Sequence, residues 1–343
     1  IYLCANLLHD NKLAFNSVIF SILSSTFITS MYGGLNRSFS YFFVALGLYF
    51  LLRSKLYYLG ILTIVSSLFY PTAALISGTS LFFLVIFKYY TQSEKFDKKN
   101  IILVLFVLII CSIILLPSLQ NGNHYGARIS QENYNLYPEA GKGGRYGSHS
   151  TLPYLTFPQQ VFKTNIGFFK NIKSIFPNIS LANFSTFLIP RLFSWTLIFI
   201  IPIYVFLNVF FKKNKLYINI LIFLFSVTFL YHCALVFEPF LYFPQRFIHY
   251  TAPIIYVLLI PIILRDILNY SLLLINKWSL SLNALNNINL MLCLSLGILL
   301  GREPNHFQGL LSLEVGQDIY EHINKLPENI VVAGWPNEIT DNV

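Results

Sequence analysis

The sequence predicts an all-α transmembrane fold, a polytopic helical bundle, and three observations carry that expectation. First, 55% of the 343 residues are hydrophobic and only 11% are charged, about half the charged share of ordinary soluble domains. Second, mean hydropathy is +0.62. A water-soluble core has no room for 33 Phe and 22 Tyr beside so many Ile and Leu, so lipid must be the solvent for most of the chain. Third, the basic residues gather in short turns between apolar runs, the arrangement by which cytoplasmic loops orient membrane helices. The same arrangement accounts for the net charge of +9. In a soluble protein that charge would point to nucleic acid; no nucleic-acid partner is expected here.

A hydrocarbon core of about 30 Å needs roughly 20 apolar helical residues, fewer where flanking side chains snorkel. The runs at 13–31, 39–52, 56–70, 73–90, 101–117, 193–211, 216–236, 250–268 and 284–300 meet or approach that length. The opening "IYLCANLL" reads as the end of a further span entering from the outer face. With Ile rather than Met first and no signal peptide in view, the expectation is a fragment that has lost an upstream part. Residues 1–300 are thus one transmembrane domain of about nine spans plus the end of a tenth. Cys4, Cys111, Cys233 and Cys293 lie in or beside apolar runs without pairing or metal-ligand spacing, and read as small buried hydrophobes.

The turns between runs test this segmentation. Arg53 and Lys55 flank one junction; Lys88, Lys95, Lys98 and Lys99 flank the next. Lys212, Lys213 and Lys215 form a "KKNK" turn, and Arg265 and Lys277 bracket the last junction. If all are cytoplasmic, an even number of crossings separates neighbouring clusters. Tyr70-Pro71 then becomes the outer turn of a hairpin, where a missing backbone donor does least harm. The runs 101–117 and 193–211 form a second pair, and 216–236 with 250–268 a third. Cysteines introduced at Asn123 and Asn214 are therefore expected to react with impermeant reagents from opposite sides. Labelling of both from one side would overturn the whole map.

On the outer face this topology places "YGGLNRS" (32–38), the turn at Pro71, a long loop at 118–190, "FEPFLYFPQR" (237–246) and the tail 301–343. A loop as long as 118–190 is seldom mere connection. Within it, 157–180 is amphipathic, with lysines among aromatics, and suits a membrane surface. The tail changes character: a short helix, a turn at Pro327 and a buried-type strand at Ile330–Ala333 read as the start of an extracytoplasmic α/β segment cut short at Val343.

Charges on the outer side are the candidates for chemistry. Positive-inside bias depletes Arg from short outer loops, so Arg37, beside Gly33-Gly34, and Arg246 call for a reason. Arg145 sits in the Gly-rich centre of the long loop. Arg246 and His249 fall on one face if both belong to the start of the helix at 250. A cation there opposes the helix dipole, but exposed amides and a guanidinium together suit a phosphate. Glu132, Glu139 and Glu238 are the weak candidates for a catalytic carboxylate. The bland reading is that an Arg at a membrane edge snorkels to headgroups and a nearby His packs or caps. No phosphate-binding loop, dinucleotide fingerprint or metal-ligand set is visible. The cofactor is therefore unknown, a divalent metal remaining compatible with the chemistry.

The stretch at 32–75, with Gly33, Gly34, Leu35, Arg37, Phe39 and the Phe69-Tyr70-Pro71 break, resembles uncharacterised bacterial polytopic membrane proteins related to the GT-C glycosyltransferases. "LYFPQRF" (241–247) and the tail at 319–343 share the resemblance. It implies a GT-C-like fold in a bacterial inner membrane. It also implies a lipid-phosphate-linked sugar donor and transfer on the outer face; the outer-side charges singled out above, Arg37, Arg246, His249 and Arg145, are then the residues expected at the substrate. In that family the acidic motif usually lies in the first outer loop, upstream of the residues present here, which leaves the base unassigned. The alternatives are a transporter or flippase for an amphipathic anion, which asks for mid-span charges and broken helices, and a non-catalytic membrane component.

Overall fold

The computed structural model describes residues 1–24, 39–91, 98–120, 161, 198–236, 244–276 and 281–301. The chain divides into two compact units, Ile1–Arg302 and Glu303–Val343; the second, with the expected α/β start, lies outside the described residues, as does nearly all of 118–190. The described residues form an all-α bundle. In chain order its helices are α1 (Tyr2–Leu8), α2 (Asn11–Leu23), α3 (Ser40–Leu52), α4 (Leu56–Phe69), α5 (Pro71–Thr91) and α6 (Lys98–Gln120). There follow α7 (Ile198–Phe210), α8 (Lys215–Val236), α9 (Pro244–Asn276) and α10 (Leu282–Gly301). Among the described residues, four helices (α5, α6, α8 and α9) are long and apolar enough to cross a membrane, as a multi-pass membrane bundle requires.

Burial ranks the helices from centre to rim. The stretch of α9 from Ile254 to Ile263 is buried on every side, which makes α9 the central helix. By contrast α6 shows Ile102, Leu105, Phe106, Leu108, Ile109 and Ile113 on its surface, an apolar exterior that only lipid suits. Between the helices, small residues permit close approach. A Cβ on Gly47 of α3 would stand 2.8 Å from Ser77 Oγ of α5, and one on Gly60 of α4 would meet Val107 of α6 at 3.1 Å.

Local chemistry sets the helix ends. Asp10 caps α2, its carboxylate accepting the Leu13 amide at 2.8 Å. The turn after α3 is a Schellman motif: the Lys55 amide reaches the Phe50 carbonyl at 3.0 Å and the Ser54 amide the Leu51 carbonyl at 2.9 Å. Ser54 takes the left-handed conformation this needs, with φ of 52°. Asn219 of α8 steadies it by donating to the Leu51 and Leu52 carbonyls and to Ser54 Oγ. At the Tyr70-Pro71 break α4 ends and α5 begins, and Pro71 takes the first helical position, where its missing N–H is no loss.

These contacts sort the helix ends into two sets. The α1–α2 junction, the end of α3, the turn between α7 and α8, residues 265–266 of α9 and the start of α10 share one end. It carries Lys12, Arg53, Lys55, Lys212 and Arg265 and is called the basic end. At the other end meet the start of α3, the α4–α5 break and the start of α9. The grouping matches the parity expected from the basic turns. Arg265 differs from expectation: α9 runs on to Asn276, so Arg265 stands within the helix and not at a loop.

Candidate functional site

The end opposite the basic end centres on the first turns of α9. Pro253 has no amide hydrogen, so the His249 carbonyl one turn earlier loses its helical partner. Tyr41 of α3 supplies the replacement, its hydroxyl donating to that carbonyl at 3.1 Å. Tyr70, from the α4–α5 break, donates to the Tyr250 hydroxyl at 3.1 Å. The Tyr250 ring meets Tyr41, Tyr70 and His249 edge-on, with centroids 5.5, 5.3 and 5.3 Å away. Three buried tyrosines thus fix the start of α9. Arg246, half-buried, stands one turn before Tyr250, and His249 is exposed beside it. Hydropathy starts this helix at 250 and leaves both residues in the preceding loop; α9 in fact begins at Pro244 and includes them.

Arg37, Arg145, Glu132, Glu139 and Glu238 lie outside the described residues. Among the described residues no three His, Cys, Asp or Glu side chains gather as a metal site. What the start of α9 offers is a guanidinium, an imidazole and the amides of a helix N-terminus, a combination suited to an oxyanion. An apolar cavity of about 390 Å³ lies alongside, lined by Ile198 of α7, Leu221 and Phe225 of α8, and Ile248, Thr251 and Ile255 of α9. At 100° per residue His249 borders that lining face, and Arg246 stands about 60° further round.

The basic end holds a charged cluster that sequence reading did not find. Arg265, with a side chain only 10% exposed, contacts Asp10 and Asp266, both at 3.2 Å, and the His9 ring. Tyr204 of α7 donates to Asp266 at 2.8 Å, and Lys212 stands 4.0 Å from the same carboxylate. Two carboxylates face two cations, so the cluster is close to neutral. It ties the α1–α2 junction, α7 and α9 together. Its only sequence signal was the pair Arg265-Asp266 beside Leu264 and Ile267; the partner Asp10 lies 255 positions away.

Burial, followed by the Arg265 charge, holds His9 below its ordinary pKa of 6.5. The sign follows from proton counting: below 6.5 the unfolded chain takes up a proton at His9 that the folded bundle resists. That contribution to stability is full above 6.5 and declines as pH falls toward the lower folded value. Unfolding midpoints in detergent are expected to drop between pH 7 and pH 5, and His9→Gln is expected to flatten the decline. An unchanged slope in the variant would remove His9 as its cause.

Comparison with protein-family models, with curated proteins and with solved structures finds no match, so residue geometry alone carries the functional reading.

Proposed function

We propose that the chain is a GT-C-like membrane glycosyltransferase of a bacterial inner membrane that takes its sugar from a polyprenyl-phosphate donor on the outer face. The observation that carries the reading is that Arg246 and His249 stand on the first turns of one pinned helix, other residues of which line an apolar cavity. A lipid-linked phosphate needs both halves: hydrocarbon surface for the chain, and a guanidinium for the phosphate as it becomes the leaving group. Arg37, four residues before the Tyr41 that bonds the His249 carbonyl, is the second candidate for that phosphate. The acceptor's base is a carboxylate by chemistry; Glu132, Glu139 and Glu238 are its candidates.

Placement of charge favours this reading over the transporter. Tyr250 and Arg265 stand 15 residues apart on α9, about 22 Å at 1.5 Å per residue. The charged cluster therefore sits near the far edge of a hydrocarbon slab of about 30 Å, not at the midplane where transport sites collect. The test uses the full-length protein in liposomes and a polyprenyl phosphate carrying a photoreactive group near its phosphate. Crosslinks are expected on peptides covering residues 244–256. Crosslinks confined to other helices would withdraw the assignment.

A further inference from the structure

A second cavity, of about 330 Å³, lies between α2 and α10 at the basic end and is lined by Lys12, Phe15, Asn16, Asn286, Asn287 and Leu290, among others. Its polar wall is made of amides in helices that face lipid. Asn16 and Asn286 are each only 3% exposed. Asn16 donates to the Asn286 carbonyl at 3.3 Å. Asn286 belongs to the cavity lining, and its side-chain oxygen is buried without a hydrogen-bond partner among the described residues. Turning the amide over would exchange an orphan acceptor for an orphan donor. Either way a buried polar atom is left unmatched, which burial penalises. The cavity is roughly ten times the volume one water occupies in the liquid, about 30 Å³, so a single trapped water does not fill it.

Charge points the same way. Lys12 is in the first turn of α2, where the helix dipole disfavours a cation. Its ammonium donates to the neutral Asn283 Oδ1 at 2.6 Å, and no carboxylate is among the residues that line the cavity. The site offers one cation and several amide donors and acceptors. It suits a phosphate that bears hydroxyl groups close by. Below the polar wall the exposed Phe15 and Ile22 of α2 and Met291 of α10 continue as apolar surface along the same helix pair. A ligand with hydrocarbon tails matches that continuation, and a free phosphate ester does not.

We infer that this cavity is a headgroup site for an anionic glycerophospholipid of the leaflet at the basic end, with Lys12 at the phosphate, Asn286 at a headgroup hydroxyl and the acyl chains along α2 and α10. The site is distinct from the start of α9 and does not depend on the glycosyltransferase reading. The test measures unfolding midpoints of the detergent-purified full chain with added phosphatidylglycerol, phosphatidylcholine or soluble glycerol phosphate, and lipids retained in native mass spectra. Phosphatidylglycerol is expected to stabilise the wild type more than phosphatidylcholine, and glycerol phosphate not at all. Lys12→Gln is expected to weaken phosphatidylglycerol retention about fivefold, the worth of one Lys at an anionic leaflet, and Asn286→Leu to remove the preference for a hydroxylated headgroup. Lys12 is exposed, so its variant keeps the fold even if Asn286→Leu does not. Equal stabilisation by the two lipids, or a Lys12→Gln protein with undiminished preference, overturns the proposal. Stabilisation by glycerol phosphate to the same degree would overturn the lipid assignment.

Discussion

Arg265→Ala is expected to destabilise the bundle by about 3 kcal/mol, the low end of what breaking a buried ion pair costs. Arg265 neutralises Asp10 and Asp266 together. Removing it leaves Asp266, only 18% exposed, with the Tyr204 hydroxyl and a more distant Lys212. Asp10 is 35% exposed, so water compensates part of its loss, and the low end of the range is the right one. Lysine at 265 keeps the charge but not the fork that reaches two carboxylates, and should recover only part of the stability. The decisive comparison is Arg265→Leu alone against Arg265→Leu with Asp10→Asn and Asp266→Asn. If charge imbalance is the cause, the triple variant unfolds at a higher denaturant concentration than the single one. A triple variant no more stable than the single would mean that Arg265 acts through its packing.

Which parts of this architecture are legible in sequence follows from the range of the forces involved. Span existence rests on composition, so α5, α6, α8 and α9 could be read as apolar runs. The Tyr70-Pro71 break could be read because proline's missing donor is a one-residue effect. Helix ends were harder. "FPQRF" is not apolar, and hydropathy therefore starts α9 at 250, whereas Pro244 is a good first helical residue. Hydropathy also stops near 268, because a charged pair looks like a loop flank until Asp10 is placed beside it. Asp10 was equally ambiguous, for a carboxylate before "NKLAF" is an ordinary N-cap, and it serves as one. The bond from Tyr41 to the His249 carbonyl was half legible. Pro253 announces a freed carbonyl at 249, but nothing local says which of 22 tyrosines answers it.

The substitution at Arg246 is expected to affect activity more than any other among the described residues. If the guanidinium holds the donor phosphate as the glycosidic bond breaks, Arg246→Ala removes a contact that strengthens as the leaving group gains charge. Loss of such a donor is worth about 2–4 kcal/mol at the transition state, or roughly 30- to 900-fold in kcat/KM. The loss belongs in kcat more than in KM, because the ground-state phosphate is also held through its hydrocarbon chain. Arg246→Lys separates the two readings of this residue. A headgroup anchor needs only a long cationic side chain, and lysine snorkels as well as arginine. A bidentate phosphate contact needs the planar fork, so lysine should forfeit most of the rate while leaving the unfolding midpoint unchanged. His249→Gln keeps a hydrogen-bond donor beside the site, and its effect is expected to stay near tenfold. Full activity in the Arg246→Lys protein would return Arg246 to the membrane surface as an anchor. The polar role of the α9 start would then rest on its backbone amides alone, and a helix N-terminus without its arginine is too weak to hold a departing phosphate.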